Sequence, residues 1–217
     1  MKKLILLCAV LTVAPLGAFA KDAYHDYYGL EEYGLRNNTT RVEFYGGVAE
    51  PQSSWTHNGQ EVEIGKTGFS AGLAFLRNIG PFFTLGLDGN YTGFASGDKF
   101  NAGTQQAKYT SGIATGLIIG RFNFFPSQPT RLYITSGLGI GHMFSKEKFD
   151  DDTHETFNST SWAGMIGAGV EFDIDDTVIF GVEGRYNLLD LNDSYSDALG
   201  KGSYHYLSAM LKIGCRF

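Results

Sequence analysis

The last fifteen residues of the chain, 203–217, constrain its fold more than any other stretch. From Tyr206 onward the side chains alternate between two faces with a period of two, which predicts a β-strand. One face is apolar and the other mostly polar: Leu207, Ala209, Leu211, Ile213, Cys215 and Phe217 oppose Tyr206, Ser208, Met210, Lys212, Gly214 and Arg216. Basic side chains on an inner face do not suit a soluble sandwich, whose inward residues are apolar. They do suit a transmembrane barrel with lipid outside and a polar lumen inside.

The amino terminus predicts a secretory signal peptide over residues 1–20, cleaved near Ala20. Lys2 and Lys3 form a basic start, residues 4–16 are mostly apolar, and residues 18–20 form a small-x-small cleavage site. The apolar run is shorter than the ~20 residues that a membrane-spanning helix needs. Cleavage removes Cys8, so Cys215 is the only cysteine left and no intramolecular disulfide is possible.

Composition excludes two classes of protein. Without residues 1–20 the chain keeps 15 of its 17 basic residues and all 23 acidic ones, a net charge of −8. An acidic chain of this kind is not a nucleic-acid binder, which needs a basic patch. After residue 20 no apolar run reaches 18 residues, so no transmembrane helix is predicted. The 29 glycines are useful where strands bend tightly and interior space is scarce.

Residues 21–40 form a lead-in segment that shows neither the helical nor the strand period. We expect a mobile terminal segment on the periplasmic side. The alternative is a segment that packs at the barrel mouth or binds a partner. The remaining residues, 41–217, are predicted to form one barrel domain.

Eight stretches of alternating polarity follow one another in residues 41–217. Breaker residues such as glycine and proline separate them. The predicted strands are 41–49, 67–77, 82–94, 108–124, 131–144, 159–172, 177–188 and 206–217. The connections are alternately long and short, with long loops at 50–66, 96–107, 145–158 and 191–202.

This alternation predicts an eight-stranded, antiparallel, up-and-down transmembrane β-barrel. Bacterial outer-membrane barrels have an even number of strands, short periplasmic turns and longer extracellular loops. Strands of about ten residues are long enough to cross the bilayer at a tilt. We therefore expect four extracellular loops and a location in the outer membrane.

The fourth strand, 108–124, does not alternate cleanly. Phe122 and Phe124 indicate that Arg121 points inward, but Ile113, Leu117 and Ile119 share the parity of Arg121. A β-bulge within residues 116–120 would reconcile the two sets.

The signal peptide, the eight amphipathic strands, the glycine-dense inner faces and the terminal Phe217 resemble the small outer-membrane β-barrel proteins of Gram-negative bacteria. That group includes the transmembrane domain of outer membrane protein A and the opacity and adhesion/invasion barrels. The resemblance implies that the last strand is the signal that the barrel-assembly machinery reads. The matching residues here are Tyr206, Leu207, Leu211, Ile213 and Phe217.

The predicted inner faces carry as many acidic as basic side chains. Buried charges are costly unless they are paired, so this balance predicts a hydrogen-bonded network that fills the narrow lumen. The alternative is a narrow ion path lined by the same residues. Glu183 and Arg185, two apart on one face, are the first pair to test. The predicted network contains Glu43, Asp88, Arg121, Glu171, Glu183, Arg185, Lys212 and Arg216.

No enzyme site, metal site or cofactor is predicted. Some lipid-A-modifying barrels carry a histidine and a serine two residues apart on one strand face, whereas His205 and Ser208 are three apart. His142 points outward and has no serine partner in that pattern. The third loop holds Asp150, Asp152 and Glu155, but it lacks the ordered spacing of a calcium loop, and a solvated acidic tip is the simpler interpretation.

These features predict an integral outer-membrane barrel with a structural or surface-interaction role. Its partners are expected to be outer-membrane lipid and lipopolysaccharide, the assembly machinery, and an extracellular partner at the loops. Exposed Trp55 and His57 in the first loop are candidates for such a contact. The alternatives are a narrow porin-like channel and, less favoured, a membrane enzyme that modifies lipid.

Overall fold

The computed structural model describes residues 39–57, 60–63, 65–97, 100–102, 105–149, 154–191 and 202–217. Eight long strands in these residues form the wall of a barrel. They are β1 Thr40–Pro51, β4 Lys66–Asn78, β5 Phe83–Ala95, β7 Gln105–Phe124, β8 Thr130–Phe149, β9 His154–Asp173, β10 Val178–Leu191 and β11 Gly202–Arg216. Three shorter strands lie at the loop end: β2 Ser54–His57, β3 Gln60–Glu63 and β6 Phe100–Ala102.

Each wall strand pairs antiparallel with its neighbours in the chain, and β1 pairs with β11 to close the barrel. The closing ladder runs from Arg41 opposite Arg216 to Pro51 opposite Tyr206. The predicted eight-stranded, up-and-down barrel is therefore confirmed. Closure removes the unpaired sheet edges that an open sheet would expose to lipid.

The short connections lie at one end of the barrel, at residues 79–82, 125–129 and 174–177. The opposite end has more strand than the sequence predicts. β2 and β3 form a hairpin within the predicted loop 50–66, and β6 pairs with β7 within the predicted loop 96–107. The predicted loop 145–158 is largely wrong, because the β8–β9 ladder continues out to Lys148 opposite His154.

The predicted bulge in the fourth wall strand is wrong. The register of β7 is continuous against β5 from Gly112 to Phe122, and continuous against β8 along its whole paired length. Ile113, Leu117 and Ile119 are simply buried in the lumen, on the same face as Arg121. The lumen is thus not uniformly polar, and apolar parity alone misplaced this strand.

The outer surface of the wall is apolar. Leu138 is 74% exposed, Trp162 71% and Phe217 77%, and large exposed side chains occur on every wall strand. A continuous apolar surface of this extent does not belong in water, whereas a lipid bilayer covers it without cost. In the described part of the chain, no helix is long and apolar enough to span a membrane.

The lumen is filled in two layers. The half towards the long loops holds a cluster of buried aromatic and aliphatic side chains, including Phe94, Tyr109, Met143, Tyr204 and Tyr206. Phe94 packs edge-on against both Tyr204 and Tyr206, with ring centroids 5.6 and 5.5 Å apart. The half towards the short turns holds most of the buried charged side chains, together with aliphatic residues such as Leu76 and Ile119. An eight-stranded barrel has an interior that side chains can fill completely, and both layers do so here.

Candidate functional site

The ionic layer is the cluster of buried charged side chains in the short-turn half of the lumen. Seven of the eight wall strands contribute to it, and every member except Arg216 has a side chain no more than 3% exposed. It contains six basic and five acidic residues: Arg41, Glu43, Asp88, Arg121, Arg131, Glu171, Asp173, Glu183, Arg185, Lys212 and Arg216.

Glu43 on β1 lies at the centre of the ionic layer and contacts three cations. Arg121 donates one hydrogen bond to each carboxylate oxygen, both at 2.9 Å. Lys212 Nζ lies 2.6 Å from Oε2, and Arg41 Nε lies 3.2 Å from Oε1. A bidentate arginine–carboxylate pair fixes both geometry and charge, so Glu43 ties β1 to β7 and β11 across the lumen.

Glu183 on β10 is a second centre. Arg185 Nε donates to Oε1 at 2.6 Å, and Lys212 Nζ donates to Oε2 at 2.7 Å. The Tyr133 hydroxyl also donates to Oε2, at 2.6 Å. Arg185 then carries the network to Asp88 on β5, with 3.1 Å between Nη1 and Oδ2.

The remaining contacts lie nearest the short turns. Arg41 and Arg121 both donate to Glu171, Arg41 at 2.9 Å. Arg131 forms a bidentate pair with Asp173, and Arg216 Nη2 donates to the same carboxylate at 2.8 Å. Arg131 also lies 4.0 Å from Glu171, which joins this part to the centre.

Two tyrosine rings cover the guanidinium groups. The guanidinium carbon of Arg121 lies 4.2 Å from the Tyr133 ring centroid, and that of Arg185 lies 4.4 Å from the Tyr45 ring centroid. Both are within cation–π range, where a desolvated contact contributes about 2 kcal/mol. The rings therefore close the space beside the arginines as well as holding them.

Each of these rings needs a glycine on the next strand. A Cβ at Gly72 would lie 2.6 Å from Cζ of Tyr45, and one at Gly169 would lie 2.5 Å from Cζ of Tyr133. No side chain is tolerated at that distance from a ring held by hydrogen bonds and stacking. The glycine-dense inner faces thus make room for the aromatic part of the ionic layer.

The structure places all eight sequence-predicted network residues in this one layer. It also adds three that the prediction omitted: Arg41, Arg131 and Asp173. Arg41 shares the face of Glu43, and Arg131 shares the face of Tyr133, so parity could have found both. Asp173 was assigned to a turn, but it is the last residue of β9 and shares the face of Glu171.

The predicted assembly-signal residues lie on both faces of β11. Leu211, Ile213 and Phe217 are exposed on the outer surface, at 58%, 53% and 77%. Leu207 is half-buried on that same face, and Tyr206 is buried in the lumen.

Two histidines of the wall, His142 and His205, form polar contacts on its outer surface near the loop end. His142 Nδ1 lies 2.8 Å from the hydroxyl of Thr160. His205 Nε2 lies 2.8 Å from the hydroxyl of Ser203. The sequence prediction considered only Ser208 as a serine partner of His205 and missed Ser203, which is two residues away on the same face. The other ring nitrogen of His205 is buried and has no hydrogen-bond partner in the described part of the chain.

Several candidate residues of the loops cannot be placed. Asp150 and Asp152 lie outside the described residues, as do the signal peptide and most of the lead-in segment. The side chains of Trp55, His57 and Glu155 are also not described. Among the described residues no cluster of histidine, cysteine, aspartate or glutamate could hold a metal ion.

A closed barrel of eight strands, with an apolar outer band and a paired ionic lumen, defines a small transmembrane barrel. The sequence matches the model of the outer membrane protein beta-barrel domain over residues 6–217, and the chain belongs to that family. It is an integral protein of the Gram-negative outer membrane, as the sequence resemblance implied.

Solved structures share the fold at low identity. The outer membrane protein OprG from Pseudomonas aeruginosa is 14% identical with a TM-score of 0.50, over 86% of this chain and 99% of OprG. Neisserial surface protein A is 16% identical with a TM-score of 0.49, over 82% and 97%. Ail, the attachment invasion locus protein of Yersinia pestis, is 18% identical with a TM-score of 0.47, over 84% and 100%; that structure contains the heparin analogue sucrose octasulfate. No curated protein matches the sequence significantly.

Proposed function

We propose that this protein is a sealed barrel whose function lies at its loop end, in contact with the cell surface, and not in transport through its lumen. The observation that carries this proposal is the ionic layer. Its side chains come from seven strands, contact one another across the lumen, and exclude solvent almost completely. Opposite charges held this closely close a lumen, because an ion passing through would have to break several buried pairs.

The loop end supports the second half of the proposal. β7, β8 and β9 each have 20 residues, whereas a tilted crossing of the bilayer needs only about 10. The surplus of about ten residues, at ~3.3 Å each and a tilt near 45°, projects roughly 25 Å beyond the hydrocarbon. The three strands thus build a rigid platform on which a surface partner could bind.

Planar-bilayer recording of the refolded mature protein tests the seal. We expect no reproducible conductance steps under conditions in which a general porin conducts. Steps that disappear when Glu183 and Arg185 are both replaced by glutamine would contradict the sealed lumen and favour the channel.

Protease treatment of intact cells tests the orientation. Cleavage is expected only in the long connections, such as 192–201, and not in the short turns, such as 174–177. As a control, the same protease on lysed cells should add no cut within the wall. A cut in a short turn of intact cells would reverse the orientation.

The outer face of β11 supports recognition by the barrel-assembly machinery. Leu211, Ile213 and Phe217 form a row of exposed apolar side chains on the lipid-facing surface. Deleting Phe217 should lower the amount of folded barrel in the membrane, whereas replacing the lumen-facing Ser208 by alanine should not. Equal yields for the two variants would argue against this reading.

We also propose that the protein is not an enzyme. Ser203 and His205 are arranged as a nucleophile and a base would be, but among the described residues no carboxylate contacts the other ring nitrogen of His205 to orient a catalytic imidazole. We expect the purified protein to release no fatty acid from lipopolysaccharide. Release that disappears in Ser203→Ala would establish an acyl hydrolase instead.

A further inference from the structure

The outer surface of the barrel carries a groove at the loop end that differs from the rest of the lipid-facing wall. It crosses β4, β5, β7, β8 and β9 and has a volume of about 680 Å³. Three aromatic rings form its apolar part, and a lysine with three threonine hydroxyls borders its loop side. These seven residues, here named the interfacial groove, are Phe69, Tyr91, Phe144, Lys146, Thr67, Thr110 and Thr156.

The apolar part is shaped by glycines. A Cβ at Gly93 would lie 2.9 Å from Cε1 of Phe69, and one at Gly112 would lie 2.7 Å from Cζ of Phe144. Both rings therefore lean over bare backbone, and Tyr91 lies between them with ring centroids 5.8 Å apart in each pair, stacked on Phe144 and tilted by 49° against Phe69. The result is a continuous aromatic surface below the polar border.

The strand register places the groove at the edge of the apolar band. Ile140 lies opposite Trp162, both fully lipid-facing, and six residues further along the same strands Lys146 lies opposite Thr156. Six residues at ~3.3 Å each and a tilt near 45° separate these levels by roughly 14 Å along the membrane normal. The polar border thus lies on the loop side of the apolar band, towards the headgroups.

Positive charge is concentrated at this border. Lys146 is paired in register with Thr110, and one step further out Lys108 lies opposite Lys148. By register these three lysines share the outer face of two adjacent strands, in a protein whose net charge is −6. Lys108 and Lys146 form no ion pair with the residues that the structure describes.

From this arrangement we infer that the interfacial groove binds lipid A of the outer leaflet, with a phosphate held by Lys108 and Lys146 and an acyl chain on the aromatic surface. A phosphate between Lys108 and Lys146 would form a charge-assisted hydrogen bond with each ammonium, and hydroxyls such as that of Thr156 would donate to its remaining oxygens. A phospholipid with a choline headgroup has the apolar part but brings its own positive charge. The inference rests on the orientation proposed above, in which the loop end meets the outer leaflet.

The test measures binding of diphosphoryl lipid A to the mature protein in maltoside micelles, with bound lipid counted by native mass spectrometry. Micelles present lipid to the whole outer surface, so this result does not depend on the orientation, which protease treatment of cells tests separately. Each basic residue near an anionic membrane surface contributes about a factor of five. The double variant Lys108→Gln/Lys146→Gln should therefore bind roughly 20- to 30-fold more weakly.

Arg77→Gln is the matched control. It removes one positive charge from an exposed residue at the short-turn end of the barrel, and it should leave the affinity within twofold. Lipid A without phosphates should bind the wild type as weakly as diphosphoryl lipid A binds the double variant. The inference is overturned if the double variant stays within twofold of wild type, if the control loses as much, or if removing the phosphates changes nothing.

Discussion

Because the ionic layer contains more cations than anions, removing an anion should destabilise the barrel more than removing a cation. Six cations share five anions, so removing one cation balances the layer, whereas removing one anion leaves six against four. Glu43→Gln removes the negative charge that Arg41, Arg121 and Lys212 share. These three cations stay buried, so water cannot replace the lost carboxylate. Breaking a buried pair in this way costs about 3–5 kcal/mol.

Lys212→Met should cost less, about 1–2 kcal/mol. The ammonium lies 2.6 Å from Glu43 and 2.7 Å from Glu183 and donates to the Tyr133 hydroxyl at 3.1 Å, and all three contacts are lost. Each carboxylate nevertheless keeps an arginine, since Arg121 stays on Glu43 and Arg185 stays on Glu183. Removing the buried ammonium also removes its desolvation penalty, which is several kcal/mol per ion and offsets most of the loss.

Equilibrium urea unfolding of the protein refolded in phospholipid vesicles measures both costs. The midpoints should shift at a constant slope, which shows that stability and not compactness has changed. The double variant Glu43→Gln/Lys212→Met should cost at least ~1 kcal/mol less than the two single changes together. If Lys212→Met costs as much as Glu43→Gln, or if the two changes are additive, the charge-balance reasoning fails.

Three further predictions concern the wall and a turn. Gly169→Ala should destabilise the barrel by about 2–3 kcal/mol, because overpacking displaces the tyrosine ring beside it, whereas Gly184→Ala, which meets nothing within 4 Å, should have little effect; equal urea midpoints would contradict this. In a Trp55→Phe variant the remaining emission comes from Trp162, and it should be quenched by brominated acyl chains and not by aqueous acrylamide; the reverse pattern would place it in water. Asp175 accepts the backbone N–H groups of the two residues that close its turn, which lowers its pKa below the ordinary 3.8. Its contribution is present above that value and lost as the pH falls through the lowered pKa, so the stability difference between wild type and Asp175→Ala should shrink on acidification; a constant difference would refute the charge effect.

Period-two patterning was sufficient for the wall because lipid and lumen impose opposite demands on successive residues. The last strand shows this most clearly, since every outward residue from Leu207 to Phe217 lies on the face that its parity predicts. The pattern failed where the lumen itself is apolar. Ile113, Leu117 and Ile119 look like lipid-facing residues, and only the neighbouring aromatic cluster explains why they point inward.

The alternation of polarity in the sequence could not predict which acidic side chain pairs with which basic one in the ionic layer. Parity places Arg121 and Glu43 in the lumen, but their contact depends on the stagger between strands β1 and β7, which are not neighbours in the sheet. Extension of the β8–β9 hairpin was missed for a different reason. The outward residues of 145–149 are charged, and this pattern is typical of a loop. The backbone pairing that forms a strand does not depend on side-chain polarity, so the ladder continues through them.

The ionic layer and the aromatic layer of the lumen have different roles, and each role fits the end of the barrel at which the layer lies. The ionic layer lies towards the short turns, where bidentate pairs fix the stagger between distant strands and specify a single register. The aromatic layer lies towards the loops, where buried aromatic and aliphatic side chains, interspersed with serine and threonine hydroxyls, fill the lumen between the projecting strands β7, β8 and β9. Rigidity at that end is what a surface for binding requires, since Lys108 and Lys146 can hold a phosphate only if their strands keep a fixed spacing. The filling of the lumen and the chemistry of the outer surface are therefore parts of one arrangement.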